Sequence, residues 1–430
     1  MRFTEFDLNE QILEAISYMG FEEATPIQQK AIPEILKKRD LIACAQTGTG
    51  KTAAFVLPVL HDLAENPTSN LHTLIIVPTR ELAIQIDQQI QGLSYFLGVN
   101  SLAIYGGGDG SEWDTQKNAL SDGTNIVVAT PGKLISHLNL GNGDLSKVRH
   151  FVLDEADRML DMNFYDDICR VKKFLTGLEH ISMFSATMSP KIRKLAQEIL
   201  KDPVEISLAV SKPAERVQQS CYAVHESQKA PLVLELIAQR PDFSKILIFS
   251  STKRKVNTIV QALQKGGFSV EGISSDLEQK EREEVLHRFR SEKTRVLVAT
   301  DVLSRGIDIK DIQLIINFDV PNEAEDYVHR IGRTARAQGH GEAITLVTPD
   351  DYRKLLRIER MIDGEVPKGE LPAALGTSPE LKDMGPGDRR PGNGHHRNNG
   401  GNRKSFQGNK RRKGKPRSDQ ASGNKNRPTS

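Results

Sequence analysis

Cysteine is scarce. Cys44, Cys169 and Cys221 are the only three thiols in 430 residues, and their spacing fits neither a metal site nor a closed disulfide framework. A reducing, cytoplasmic setting is the expectation. Long apolar runs are lacking too. The longest, as in TLIIVP and HFVL, are strand-sized, and the opening MRFTEFDLNEQ is acidic, so we expect no signal peptide and no membrane span. Aromatic residues make up only 5% of the chain and the formal net charge is +2. That small sum conceals an asymmetry. Residues 385–430 hold 13 Lys and Arg against two acids, Asp388 and Asp419, and the preceding 384 residues hold 45 basic and 54 acidic side chains. A mildly acidic body with a strongly basic tail calls for a polyanionic partner, and nucleic acid is the one expected.

What the sequence has in quantity is short β-branched runs separated by helix-period stretches. DLIACA, TLIIVP, NIVVATP, HFVLDEAD and ISMFSAT come first, then KILIFSS, RVLVATD, LIINFD and AITLV. Continuous apolar runs of this length are how buried parallel strands read, so the fold class is α/β. Between them, Leu82, Ile86, Ile90, Leu93 and Leu97 recur at helical steps, as do Leu8, Ile12, Ile16 and Met19. Gly20 ends the earlier helix, and Thr25-Pro26 opens the next. The strand series pauses at about residues 203–230, a polar stretch with Pro203 and Pro213, which predicts a short linker between two tandem parallel-sheet domains, 1–208 and 209–370. Residues 371–430, rich in Gly, Asn, Arg and Lys, are expected to be a disordered basic tail.

The strongest local signal is AQTGTGKT, which follows the strand DLIACA and opens an amphipathic segment. Here Ala45, Gln46, Thr47, Gly48, Thr49 and Gly50 form a loop whose backbone N–H groups point at phosphate oxygens from the positive end of a helix. Lys51 reaches the β- and γ-phosphates and Thr52 holds Mg²⁺. The competing reading is a glycine-rich turn that binds nothing, and Ala45 does stand where the simplest pattern has glycine. The strand before, the helix after and the intact GKT weigh against it. About a hundred residues on, Asp154 and Glu155 close another strand, where an aspartate serves the metal shell and a glutamate takes a proton from water.

Asp154 to Asp157 spell DEAD, and from Phe3 to about residue 365 the chain resembles the DEAD-box RNA helicases. Gly20-Phe21 and TPIQ (Thr25 to Gln28) are similar to the family's adenine-reading Q motif. PTREL, Gly106-Gly107, TPGK, SAT, IFSST, Gln279 with Arg282, ATDVLSRGID and HRIGRTAR then follow in the family's order. The resemblance implies two RecA-like domains with ATP and Mg²⁺ as cofactors and RNA as partner. It places Gln28 and Thr25 at the adenine with Phe3 and Phe21 supporting or stacking on the base, and Asp308 at the ribose. Arg333 and Arg336 resemble arginine fingers on the γ-phosphate. Arg80, Gly107, Thr130, Gly132, Thr252, Arg282 and Thr300 are implied to meet the RNA backbone, and Ser185, Thr187 and His329 to link the ATP and RNA sites. Three positions depart from the pattern. Ala24 stands for the usual proline, Lys133 for the arginine of TPGR, and Ser274 for a histidine. Lys133 keeps its charge but loses the bidentate fork.

Arginines 330, 333 and 336 have helix-like spacing and are expected to project from nearly one face. A covalent role for Ser185 or Thr187 is disfavoured because no histidine base is suitably placed. The function expected is an ATP-dependent RNA helicase acting on short duplexes or RNA–protein complexes, as a monomer, in settings such as ribosomal or RNA-decay assemblies. The alternative is an ATP-dependent RNA clamp or assembly factor with little unwinding, and a translocating DNA helicase is a further rival. The tail either tethers RNA or is a solvated extension without specific function.

Overall fold

The computed structural model of the chain describes residues 1–45, 48–107, 110–121, 123–208, 217–274, 276–300, 312–334 and 341–382. In the first lobe α1 (Glu10–Tyr18) and α2 (Pro26–Leu36) precede β1 (Leu41–Cys44), α3 (Lys51–Glu65), β2 (Thr73–Ile76) and α4 (Arg80–Leu93). There follow β3 (Ser101–Ile104), α5 (Gly110–Ala119), β4 (Ile126–Ala129), α6 (Pro131–Asn139), β5 (His150–Leu153), α7 (Ala156–Asp161) and α8 (Tyr165–Phe174). β6 (His180–Ser185), α9 (Pro190–Ile199) and β7 (Val204–Ser207) complete it. The seven strands pair in the order β3-β4-β2-β5-β6-β1-β7, all parallel.

The second lobe has β8 (Val217–Ala223), α10 (Glu226–Ala238), β9 (Ile246–Ser250), α11 (Lys253–Lys265), β10 (Val270–Ile273) and α12 (Gln279–Arg290). After these come β11 (Val296–Thr300), β12 (Leu314–Asn317), α13 (Ala324–Ile331), β13 (Gly341–Val347) and α14 (Tyr352–Ile362). Its order is β10-β11-β9-β12-β13-β8, again all parallel. Strand for strand this repeats the first sheet without a counterpart of β7.

Side-chain alternation explains why the interior strands are so apolar. Leu41 and Ala43 enter the core on one face of the first sheet while Ile42 enters the core on the other, so every position of β1 is covered by helices. On α4 the stripe of Leu82, Ile86, Ile90 and Leu93 is buried, each side chain contributing about 1.5–3 kcal/mol. Thr79 caps this helix by accepting from the Leu82 N–H at 3.3 Å. Gly20, at φ +72°, supplies the left-handed residue that stops α1.

Two expectations need correction. The stretch 203–230 is not simply a linker, because it carries β7, β8 and the start of α10; between the strands only residues 209–216 lie outside the described part. Both strands sit at sheet edges, where one face meets water and polar residues are tolerated, so their composition imitates a connection. Nor does the chain leave the second lobe at 371. Gln228 donates to the carbonyls of Leu375 and Thr377 at 2.8 and 3.1 Å, and Leu371 and Leu375 pack on the core. The basic stretch beyond Lys382 lies outside the described residues. No helix among the described residues is long and apolar enough to cross a membrane.

Candidate nucleotide and RNA site

Because all strands of the first sheet run the same way, their carboxyl ends gather Ala45, Asp154 and Ser185 along one edge, where ligands bind in open α/β sheets. Gly48 and Gly50 have φ of +85° and +88°, a region that only glycine enters freely. At Gly50 a Cβ would also lie 2.5 Å from Gln28 Nε2. Lys51 opens α3 and is 6% exposed, and its Nζ finds no hydrogen-bond partner among the described residues. A buried ammonium without a partner at a helix N-terminus is a cation held ready for an anion.

Gln28 is tied to this loop. Its Oε1 accepts from the Thr25 N–H at 2.8 Å and its Nε2 donates to the Gly50 carbonyl at 3.0 Å. A second lone pair and a second N–H remain for a base edge. The two expected base-contacting rings differ: Phe3 is buried in the core and Phe21 is exposed.

Asp154 is buried at the end of β5. Burial pushes its carboxyl up, to about 6, against the opposing pull of Lys51. Its Oδ1 accepts from the Glu155 N–H at 2.9 Å. Glu155 stands at φ 53°, ψ 47°, a left-handed conformation costing a non-glycine residue about 1–2 kcal/mol. Arg158 holds the Glu155 carboxylate by donating from Nη1 to Oε2. Asp157 Oδ2 accepts from the Ala186 N–H at 3.2 Å, and Ser185 Oγ accepts from the Thr187 N–H at 3.3 Å. The Ser185 carbonyl in turn accepts from the Ala45 N–H at 3.0 Å. SAT, DEAD and the phosphate loop are thus one hydrogen-bonded unit. Asp157 and Arg158 were not among the expected site residues, although the three-residue spacing of Glu155 and Arg158 was a readable signal. Thr52 is half-buried in the first turn of α3, and Thr49 precedes Gly50 in the loop.

The expected RNA contacts fall at element ends. Arg80 begins α4, lies over the Tyr105 ring at 4.4 Å and pairs with Glu283 of α12 at 2.9 Å, bridging the lobes. Thr130 is the N-cap of α6, and nothing lies within 4 Å of a Cβ placed on Gly132, which leaves room for a backbone to approach. Gly107 is exposed at φ +93°. Thr252 is the exposed N-cap of α11, Thr300 ends β11, and Arg282 lies on α12. Lys133, the departure from arginine, sits 4.3 Å from the centroid of Trp113, which stacks on His137 at 3.9 Å. No sequence signal pointed to Trp113 or Tyr105.

Of the three arginines expected on one helical face, Arg330 and Arg333 do not share it. α13 stops at Ile331 with Gly332 as its C-cap, so Arg333 lies beyond the helix. Arg330 turns inward, its Nη1 donating to Asn317 Oδ1 and to the Asp319 carbonyl, both at 2.9 Å. Arg333 is 8% exposed and His329 half-buried. Gln46, Thr47, Asp308 and Arg336 lie outside the described residues.

The sequence model of the DEAD/DEAH box helicases matches residues 25–195, and that of the helicase conserved C-terminal domain matches residues 228–338. The ATP-dependent RNA helicase CshA of Listeria monocytogenes is 44% identical over 360 residues, 83% of this chain and 68% of that protein. Among solved structures, S. cerevisiae Dbp5 bound to RNA and ADP BeF3 superposes with a TM-score of 0.76 at 30% identity, covering 86% of this chain and 95% of that one. A Dbp5 variant bound to Nup159, Gle1, IP6 and ADP gives 0.60 at 29% identity, covering 84% and 95%.

Proposed function

This chain belongs to the DEAD-box family of ATP-dependent RNA helicases, and we propose from that membership that it separates short RNA duplexes, or remodels RNA–protein complexes, by closing two lobes over one strand. The observation that carries the reading is the buried, unpartnered Lys51 ammonium beside Asp154. The residues fit ATP with Mg²⁺: Gly48 and Gly50 at positive φ turn the loop tightly into α3, whose N-terminus favours phosphate, and Thr52 and Asp154 are oxygen donors of the kind Mg²⁺ takes. When bound, the ion screens charge on the β- and γ-phosphates.

Within that frame each residue has a task. Lys51 draws the terminal phosphate against the α3 N-terminus. Glu155, aimed by Arg158, accepts the proton of the attacking water. Arg333 and Arg336 approach from the second lobe and stabilise the transferring phosphoryl group, which neither lobe does alone. Asp308 meets the ribose. Arg80, Gly107, Thr130, Gly132, Thr252, Arg282 and Thr300 hold the sugar-phosphate backbone and therefore read little sequence. Ser185, Thr187 and His329 pass closure between the two sites. Shifting a population from mostly open to mostly closed needs about 5.5 kcal/mol of differential binding, which two charge-assisted arginine contacts and a bound strand can supply.

ATP turnover measured with no polymer, with single-stranded RNA and with DNA of matched sequence tests this reading. RNA should stimulate turnover at least tenfold and DNA should not. Equal turnover in all three would overturn it, and RNA stimulation without strand separation would favour the clamp.

A further inference from the structure

At the sheet edge opposite the phosphate loop, three adjacent interior strands of the first lobe each start on a histidine. His72 precedes β2, His150 opens β5 and His180 opens β6. All three are 1 or 2% exposed, an unusual concentration of polar rings at the foot of an apolar sheet. Asp62, near the end of α3, reaches across to them, with its Oδ2 3.1 Å from His72 Nε2 and 2.7 Å from His150 Nε2. We propose that Asp62, His72 and His150 form a binding site for a single zinc-class divalent cation, about 13 Å along β5 from Asp154 and independent of the nucleotide.

Geometry and donor chemistry carry the assignment. One carboxylate oxygen and two imidazole nitrogens converge, with all three ligand atoms within 4.8 Å of one another. Bonds of about 2.0–2.1 Å around a tetrahedral zinc place ligand atoms slightly farther apart than the observed 2.7 and 3.1 Å, so small side-chain shifts admit the ion, with water as the fourth ligand. Two imidazoles select zinc, cobalt, nickel or copper over magnesium and calcium.

Metal-ligating histidines need their other ring nitrogen held, and both are. His72 Nδ1 lies 3.0 Å from Thr73 Oγ1, and His150 Nδ1 lies 2.9 Å from His180 Nδ1. A hydroxyl and an imidazole can each donate or accept. The protons that face Asp62 without metal can therefore move to the Nδ1 side, freeing both Nε2 lone pairs while every hydrogen bond keeps a donor. The remaining carboxylate oxygen, Oδ1, is occupied by Asn66 Nδ2 at 3.1 Å and Lys38 Nζ at 3.5 Å, which leaves Oδ2 for the ion. Entry is available. A surface cleft is lined by Lys38, Asp40, Glu179 and His180, two of which touch Asp62 and His150. Lys38, partly exposed and also paired with Glu179, is the competing cation and can swing aside.

The test uses the full chain, stripped with a chelator, dialysed and titrated with Zn²⁺, with Co²⁺ as the spectroscopic probe. Relative to the double variant His72→Gln/His150→Gln, the protein should bind one additional equivalent and give a tetrahedral Co²⁺ spectrum that the variant lacks. Zn²⁺ at a hundredfold excess over its dissociation constant should raise the first lobe's melting midpoint by about 5 °C or more. Lys38→Met should tighten binding by up to about tenfold. Equal stoichiometry in both proteins, with no Co²⁺ band and no thermal shift, would identify a hydrogen-bonded cluster that takes no metal. Should the double variant fail to fold, Lys38→Met decides: tighter binding supports the site, and unchanged binding overturns it.

Discussion

The two lobes share a strand order but treat the corresponding cation in opposite ways. In the first, β1 passes through the glycine loop into α3, whose first residue is Lys51. In the second, β8 occupies the same place in the sheet and passes through Val224 and His225 into α10, whose first turn carries Lys229. Lys51 is buried with no hydrogen-bond partner among the described residues, whereas Lys229, also buried, donates to Asp319 at 3.1 Å and pairs with Glu226 at 3.0 Å. The acids differ in parallel. Asp154 follows β5 and Asp319 follows the equivalent β12, but Asp319 also accepts from Lys255 at 2.6 Å, from Ser250 Oγ at 3.2 Å and from Ser251 N and Oγ, each at 2.8 Å. Burial alone would raise the Asp319 carboxyl, yet the bonds from Lys255 and Ser251 hold it well below the usual carboxylate range; at Asp154 burial prevails and pushes it up. One scaffold therefore yields a ligand site where charge is left incompletely satisfied and a structural joint where it is saturated.

The largest effects should come from the two lysines. Lys51→Met is expected to lower ATP turnover by about 10²–10³-fold or more while leaving the melting midpoint unchanged or slightly higher, since it removes a buried, unpaired charge. Lys229→Met should do the reverse, lowering second-lobe stability by about 3 kcal/mol or more because Asp319 loses a buried partner. Turnover beside calorimetry separates them, and a Lys51 variant as unstable as the Lys229 variant would erase the contrast between the lobes. Next in size is acid sensitivity. The Asp319 carboxyl is held below its unfolded value of about 3.9, so its contribution is fully present above that value and is lost as pH falls through the folded value. Second-lobe stability in Asp319→Asn should consequently be lower at neutral pH and depend less on pH below about 4. Parallel acid-melting curves for the two proteins would contradict this.

The same contrast between closed and open positions governs what could be read from the sequence. All nine apolar runs picked out as strands are interior strands. The four that went unread, β3, β7, β8 and β10, are the two edges of each sheet. Interior strands are covered on both faces and must be apolar throughout, but an edge strand such as VQQSCYA in β8 buries only part of its length and mixes with loop composition. In the site, Gly48, Gly50, Lys51 and Asp154 were legible because their backbone geometry or buried charge permits few substitutes. Tyr105 under Arg80 and Trp113 under Lys133 were not, since aromatic packing against a cation depends on residues brought together from different elements. The buried His72, His150 and His180 were hidden for the same reason: each lies far from the others in sequence, and only the parallel register of β2, β5 and β6 aligns them.

The smallest expected effect concerns an ion pair that joins the lobes. Arg80, proposed to hold the RNA backbone, is paired with Glu283 across the cleft, and the glutamate side chain is half exposed. An exposed pair of this kind is worth about 0.2–1 kcal/mol, so releasing Arg80 by Glu283→Gln should strengthen RNA binding by no more than about fivefold. The gain should shrink as salt rises, because solvent screens the pair that was removed. Arg80→Ala should weaken RNA binding in either background, and the two changes together should show no benefit from the glutamine. If Glu283→Gln instead weakens RNA binding while Arg80→Ala does the same, the pair acts as a clasp that favours closure. Arg80 would then belong with the groups each lobe keeps saturated, and not with those it leaves open for a ligand.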